Sequence, residues 1–262
     1  MADVLRSAAL TDAGFAHAFS LREGGVSDAP FGTLNLGRAV GDEEECVWEN
    51  HIRFAARVPY PRDELYEVSQ VHGVSVRVVA PCEDPVVVRQ EQHDALIAPA
   101  GGLAVGVRTA DCVPILLADT VTGGVAAVHA GWRGAVNQIL LRTIDRMRAE
   151  LGTEPGALVA AVGPHIRVAD FEVGEEVVAA AEAAVRAADP SSSLQVVQRG
   201  DGKPHVDLAA LVAHQLRSAG VTRIDDVGGC TYRDAARFFS YRRDAGRTGR
   251  HLAAVVSRKP VA

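Results

Sequence analysis

The sequence predicts a layered α/β (α+β) domain, and three observations carry that prediction. Short, continuously apolar runs rich in β-branched residues recur along the chain, as expected for strands buried on both faces. Between them lie stretches with apolar residues three and four apart, the period of a helix packed on one side. No Pro-, Ser- or Gly-rich linker and no internal repeat divides the 262 residues, so residues 1–262 read as one domain. In chain order, a helix is expected near 42–56 with Asp42 as its N-cap, followed by strands at 75–79 (SVRVV), 103–108 (LAVGVR), 113–118 (VPILLA) and 124–129 (GVAAVH). After Gly134, Val136, Ile139, Leu140, Ile144, Met147 and Leu151 recur at helical spacing, and Gly152 is a natural stop. A strand at 157–163 (ALVAAVG) and the Ala-rich helix of EEVVAAAEAAVRAADPSSS follow, the latter ended by Asp189-Pro190. The last helix starts at Asp207, with Leu208, Leu211, Val212 and Leu216 on one face and Gly220 behind it; a strand at 252–257 (LAAVVS) closes the pattern.

Composition excludes several function classes. Lys plus Arg is 27 and Asp plus Glu is 33, a net charge of −6, with 48% hydrophobic and 23% charged residues. This is the balance of a soluble globular chain, so disorder is excluded as its main character. The acidity argues against nucleic acid as a partner, although RFFSYRRDAGRTGRHLAAVVSRK is locally basic. No apolar run reaches membrane-span length, and MADVLRSAALTDAGFAHAF lacks the basic and apolar segments of a signal peptide. The four cysteines, Cys46, Cys82, Cys112 and Cys230, are too scattered for a disulfide framework, so a reduced, cytoplasmic setting is expected. There is no GxGxxG and no P-loop, which leaves dinucleotide and P-loop chemistry unsupported.

Three segments set a reactive residue beside an apolar strand: SQVHG with His72, RTADCVPILLAD with Asp111 and Cys112, and GVAAVHAGWRG with His129 and Arg133. Two imidazoles and a thiolate are good zinc ligands, and three ligands leave the fourth tetrahedral position open, as in a catalytic site. The spacing H-x39-C-x16-H is not a compact zinc signature. A second reading needs no metal: Cys112 as a nucleophile whose pKa is lowered by a histidine. Asp111 suits a ligand orienter, a general base or a turn cap, and Arg133 an anion clamp or a solvated cation. Trp132 reads as core. Cys46, Cys82 and Cys230 read as structural, and His17, His51, His93, His205, His214 and His251 as surface or hydrogen-bonded residues. The tail combines aromatics with Arg242, Arg243 and Arg250, which suits either phosphate or nucleobase binding or a salt-bridged strand.

Taken together, SQVHG, RTADCVPILLAD, AAVHAGWRG, VGPHI…FEVGEEV, GKPHVDL and CTYRD…RFFSYRRD…TGR resemble the YfiH-like, or laccase-domain, family over nearly the whole chain. The N-terminal REGGVSDAPFGTLNLG…VGDEEECVWEN fits the same pattern. The resemblance implies a single-domain α/β/β/α sandwich of cysteine-hydrolase type. It also implies a metal site, usually zinc with copper as the other option, made by His72, Cys112 and His129. It implies purine nucleoside phosphorolysis, including that of methylthioadenosine, and adenosine deamination, so that the partners are a purine nucleoside and phosphate. On that reading Cys112, His129 and Asp111 are catalytic, while Arg22, Asn35, Gln70, Arg133 and Arg243 hold substrate. An amidase that edits cell-wall precursors is the alternative. Copper-dependent phenol oxidation is disfavoured, because the chain has no HxH and only two methionines, Met1 and Met147. GPHIRVADFEVG also lacks the Cys pair that family members often carry there.

Overall fold

Side chains alternate between the two faces of a strand, and in the central strands of this chain both faces are buried and mostly apolar, so the sheets are covered on both sides. The computed structural model describes residues 4–58, 60 and 64–258; residues 1–3 and Lys259 of the basic tail lie outside them. One sheet has the spatial order β1 (Val4–Leu5), β2 (His17–Ser20), β13 (His251–Val256), β6 (Ala104–Thr109), β3 (Leu65–Tyr66). The other runs β12 (Arg223–Asp226), β9 (Leu158–Val162), β7 (Val113–Asp119), β8 (Val125–Ala130), β5 (Ala95–Ala98), β4 (Val76–Val78). A two-stranded ladder joins β10 (Val197–Gln198) and β11 (His205–Val206). The helices are α1 (Ala8–Asp12), α2 (Glu44–Ala55), α3 (Pro85–Val88), α4 (Trp132–Val136), α5 (Ile139–Leu151), α6 (Glu175–Ala188) and α7 (Leu208–Ser218).

The layering follows from parity. Ile115 and Leu117 of β7, with Val128 of β8, pack against Ile144 and Met147 of α5, Val178 of α6 and Leu211 of α7. Leu116 of β7 and Ala127 of β8 point the other way, and meet Phe19, Val105, Val107 and Val255 between the sheets. On the far face of the first sheet, Ala18, Leu252 and Ala254 pack under Phe54 of α2 and under Leu34 and Leu36. The result is the expected α/β/β/α order. Each fully buried Leu or Ile in these layers contributes about 1.5–3 kcal/mol.

Two expectations need correction. The helix foreseen from Val136 to Leu151 is two helices, because Gln138 adopts a left-handed φ of 65° between α4 and α5. The apolar period survives the break since both pieces press on the same sheet, so the pattern cannot show it. Asp42 is not the N-cap of α2; that position is Glu43, without a side-chain cap. The Asp42 carboxylate instead accepts hydrogen bonds from Ser27 Oγ at 2.6 Å and Asn35 Nδ2 at 2.8 Å. The Asp207 cap, the end of α6 before Asp189 and the six foreseen strands are all present, with strand ends moved by at most one residue. The four-residue β2 and β5 and the two-residue β1, β3, β10 and β11 are too short to stand out, and β12 (RIDD) has no apolar run.

Several histidines are buried and kept neutral. Burial pushes His51 and His165 down to about 4 and His251 to about 3. Backbone groups hold each of them: His51 Nε2 donates to Leu36 O, His165 Nδ1 donates to Gly163 O, and His251 Nε2 accepts the Phe239 N–H. A folded-state pKa below the unfolded one gives stability that is complete above about pH 6.5 and is lost as the pH falls toward the folded value. Three such groups make unfolding more favourable by up to about 4 kcal/mol per pH unit near pH 5. Urea titration of metal-free protein at pH 7 and pH 5 checks this. A midpoint that does not move contradicts it.

Candidate active site

Strand register brings the site together. β5 and β8 are antiparallel with Ala95 opposite Val128, which sets Asp94 beside His129; β7 and β8 pair Val113 with Ala130, which sets Cys112 at the same edge. His129 has the parity of Val125 and Ala127, and so points into the space between the sheets, at their open end. His72 arrives on a loop, in a left-handed turn with φ 60°. Asp94 fixes that turn. Its carboxylate accepts the N–H groups of Gly73 at 2.6 Å, His72 at 2.9 Å and Val71 at 3.3 Å, and also His129 Nδ1 at 2.8 Å. Burial works against the Asp94 anion, but the His129 and Gly73 hydrogen bonds outweigh it and hold the carboxyl below its usual range.

His72, Cys112 and His129 each offer one ligand atom, all within 4.8 Å of one another. Cys112 Sγ is 3.8 Å from His72 Nε2, and the two imidazoles meet edge to face with centroids 4.7 Å apart. Among the described residues this is the one such group of His, Cys and carboxylate side chains. The donors fit a metal ion. Tetrahedral zinc, with Zn–S of about 2.3 Å and Zn–N of about 2.0 Å, needs S···N separations of about 3.5 Å. Asp94 takes His129 Nδ1 and leaves Nε2 for the ion, the carboxylate–histidine arrangement of metal centres. Burial pushes the Cys112 thiol up, yet the His129 charge and the hydrogen bonds from both histidines bring it down to about 6. His129 is driven the opposite way: burial lowers it, but the Cys112 thiolate and Asp94 raise it to about 9. The thiolate a metal requires is therefore the favoured form.

Gly131 makes room for the trio. A β-carbon there would sit 2.8 Å from His72 Cδ2 and 3.1 Å from Cys112 Sγ. Gly131→Ala is expected to lower metal affinity by roughly tenfold or more, through displaced ligands. Metal analysis after dialysis against a weak chelator checks this, and wild-type retention of the ion contradicts it.

The trio opens on a cavity of about 770 Å³ whose wall carries Arg38, Arg108, Arg133, Arg242 and Arg250, with Phe171 and Tyr241 as its aromatic faces. Asp111 also lines it, but its oxygens already accept the Thr231 hydroxyl at 2.6 Å and the Arg242 N–H at 2.7 Å. With φ 95°, Asp111 occupies a strained turn just before Cys112, and these bonds hold that turn in place. Gln70 lines the cavity while clamping the Arg108 backbone: its Nε2 donates to Arg108 O at 2.7 Å, and its Oε1 accepts Arg108 N–H at 2.8 Å. Arg133 is exposed at the cavity and stacks on half-buried Trp132 at 4.5 Å.

The structure does not bring Arg22, Asn35 or Arg243 to the cavity wall. Arg22 donates to Gly32 O and Ala235 O and lies over Phe239; Arg243 pairs with Asp244 and donates to Thr231 O and Phe238 O. Buried Asn35 accepts the Arg250 N–H at 2.9 Å and so acts on the site through Arg250. Sequence reasoning missed Asp94, Arg38 and Arg108. The available signals were a carboxylate directly before the apolar ALIA, and a lone charge ending the apolar run of LAVGVR.

Fold and site define an α/β/β/α protein with a His–Cys–His centre at the open end of its sheets, facing a cationic cavity. A family described as "Multi-copper polyphenol oxidoreductase laccase" matches residues 16–258. The chain belongs to this laccase-like YfiH family. It is 40% identical over 240 residues to a purine nucleoside phosphorylase of Deinococcus radiodurans, covering 91% of this chain and 88% of that one. It is 41% identical over 239 residues to a purine nucleoside phosphorylase of Streptomyces coelicolor, covering 91% and 93%. Among solved structures, YlmD from Geobacillus stearothermophilus superposes with a TM-score of 0.86 at 30% identity, covering 94% of this chain and 93% of that one. YfiH from Bacillus licheniformis gives 0.84 at 25% identity, covering 92% of each.

Proposed function

We propose that this chain is a metal-dependent purine nucleoside phosphorylase that takes adenosine and methylthioadenosine and also deaminates adenosine, at the one centre formed by His72, Cys112 and His129. The observation that carries the reading is the opening of that trio onto a cavity lined by five arginines and two aromatic rings. The names of relatives near 40% identity support it. Zinc fits the donors best, and copper is the other ion that two imidazoles and a thiolate accept. Bound there, the ion supplies Lewis acidity beside the reacting nucleoside. Three donors do not make the mononuclear site plus cluster of a multicopper oxidase, so phenol oxidation is not the reading we favour.

The chain's own groups have definite parts. Exposed Tyr241 offers a ring face to a purine, while Phe171 lines the cavity beneath the Arg242 guanidinium. The arginines hold phosphate against the ribose, so that a phosphate oxygen forms the new bond to C1′ as the bond to the base breaks. Asp111 holds the turn that presents Cys112, and Arg133 guards the open side. No helix among the described residues is long and apolar enough to cross a membrane, in keeping with the cytoplasmic setting we propose. Zinc-loaded protein given adenosine and orthophosphate should yield adenine with ribose 1-phosphate, and inosine with ammonia. Absence of all four products, and of adenine from methylthioadenosine, overturns the reading.

A further inference from the structure

Behind the arginine wall lies a carboxylate that the chemistry above does not use. Glu67 is 1% exposed, and both of its oxygens are buried without a hydrogen-bond partner among the described residues. Three guanidinium groups surround it at a distance: Arg108 Nη1 and Arg38 Nε at 3.5 Å, and Arg89 Nε at 4.0 Å. One anion among three cations leaves an excess of two positive charges. His51 also faces Glu67, but burial keeps it neutral near pH 7, so it adds none. The Nε of Arg38 and of Arg89 are themselves buried without a hydrogen bond. Those two Nε atoms face Glu67, and a single carboxylate does not balance three guanidinium groups, so a second oxyanion reached from the cavity side would offset the remaining charge.

Two of the three, Arg38 and Arg108, reach the cavity, and Arg250 joins them there. Arg250 packs across Gly37, where a β-carbon would come within 2.7 Å of its Cγ, one residue before Arg38 in the chain. Arg250 is also close enough to Arg108 and Cys112 to feel both charges. The backbones of Arg108 and Arg250 are fixed by Gln70 and Asn35. By contrast, Arg133 and Arg242 lie on exposed segments of the cavity.

We propose that Arg38, Arg108 and Arg250 form an oxyanion subsite that takes a phosphate group, with Glu67 as the buried positioning residue behind Arg38 and Arg108. The assignment deepens the phosphorylase reading and rests on it for the identity of the anion as a co-substrate. The recognised chemistry is a phosphate dianion, either free orthophosphate or the phosphate of a nucleoside 5′-phosphate. Glu67 touches no ligand; it holds two guanidinium planes facing the cavity, which long, flexible side chains would not keep unaided.

The test is calorimetric titration of the zinc-loaded full chain with orthophosphate and, separately, with adenosine 5′-monophosphate, for wild type, Arg38→Ala, Arg108→Ala and Glu67→Gln. It is paired with steady-state phosphorolysis at varied orthophosphate. Wild type should bind, and each variant should bind at least tenfold more weakly. The KM for orthophosphate should rise as much in Arg38→Ala and Glu67→Gln, while the KM for nucleoside stays within twofold. That split is not expected of a merely structural role for Glu67. Saturation by orthophosphate assigns the site to the free anion, and binding of the monophosphate alone assigns it to a nucleotide. Loss of binding in the variants of a protein that catalyses no phosphorolysis upholds the subsite and overturns the phosphorylase reading. Phosphorolysis with unchanged orthophosphate KM in Arg38→Ala and Arg108→Ala overturns the subsite and leaves that reading standing. A wild type that binds neither anion overturns the subsite as well.

Discussion

Cys112→Ala is expected to abolish both metal retention and nucleoside turnover, lowering phosphorolysis by roughly 10³-fold or more. Among the described residues the sulfur is one of three donors drawn within 4.8 Å of one another, and of those three the one that brings negative charge to the ion. Two neutral imidazoles cannot replace a thiolate whose pKa has been brought to about 6 for the purpose. The fold should survive, since Cys112 lies outside the three apolar cores and its side chain is only half-buried. Metal analysis, product assay and thermal unfolding of the variant beside wild type check all three points. Full activity in a metal-free Cys112→Ala protein contradicts the role assigned to the sulfur.

Asp94→Asn is the second large effect. The carboxylate accepts four N–H donors, from His129, His72, Gly73 and Val71, so every lone-pair direction it offers is in use. An amide turns one oxygen into an NH2 group that faces two donors in a fully buried place. His129 then loses the group that orients it, and the left-handed turn at His72 loses its anchor. Metal affinity should fall about 10–100-fold, and stability by about 2–4 kcal/mol. Competition with a chromophoric chelator and urea unfolding measure the two. A variant with wild-type affinity shows that the histidines are held by something else.

How much of this is legible in the sequence depends on where each signal is written. Strands such as VPILLAD and VAAVHA announce themselves because both their faces are buried, and the Asp207 cap because its side-chain chemistry is local. His72, Cys112 and His129 stand out because each is a reactive group bordering an apolar run or carried in a motif of the family. Asp94 does not, since it acts through strand register: nothing in QEQHDALIA shows that Ala95 pairs with Val128. The arginines show the same limit more sharply. Arg22 and Arg243 look like phosphate ligands by type, yet the fold keeps them off the cavity wall, with donors on Gly32 O, Thr231 O, Phe238 O and Asp244. Arg38 and Arg108 look ordinary until the fold places them between Glu67 and the cavity. Gln70 lines the cavity and Asn35 lies behind it, and each acts as a clamp on the backbone of another residue, Arg108 and Arg250 respectively.

X-ray absorption at the zinc edge of the loaded protein reaches the convergence of His72, Cys112 and His129 most directly. The account predicts about one ion per chain, with two imidazole nitrogens at about 2.0 Å and a single sulfur at about 2.3 Å. The sulfur shell should vanish in Cys112→Ser. A loaded wild type whose first shell contains no sulfur, or whose sulfur shell survives that substitution, contradicts it.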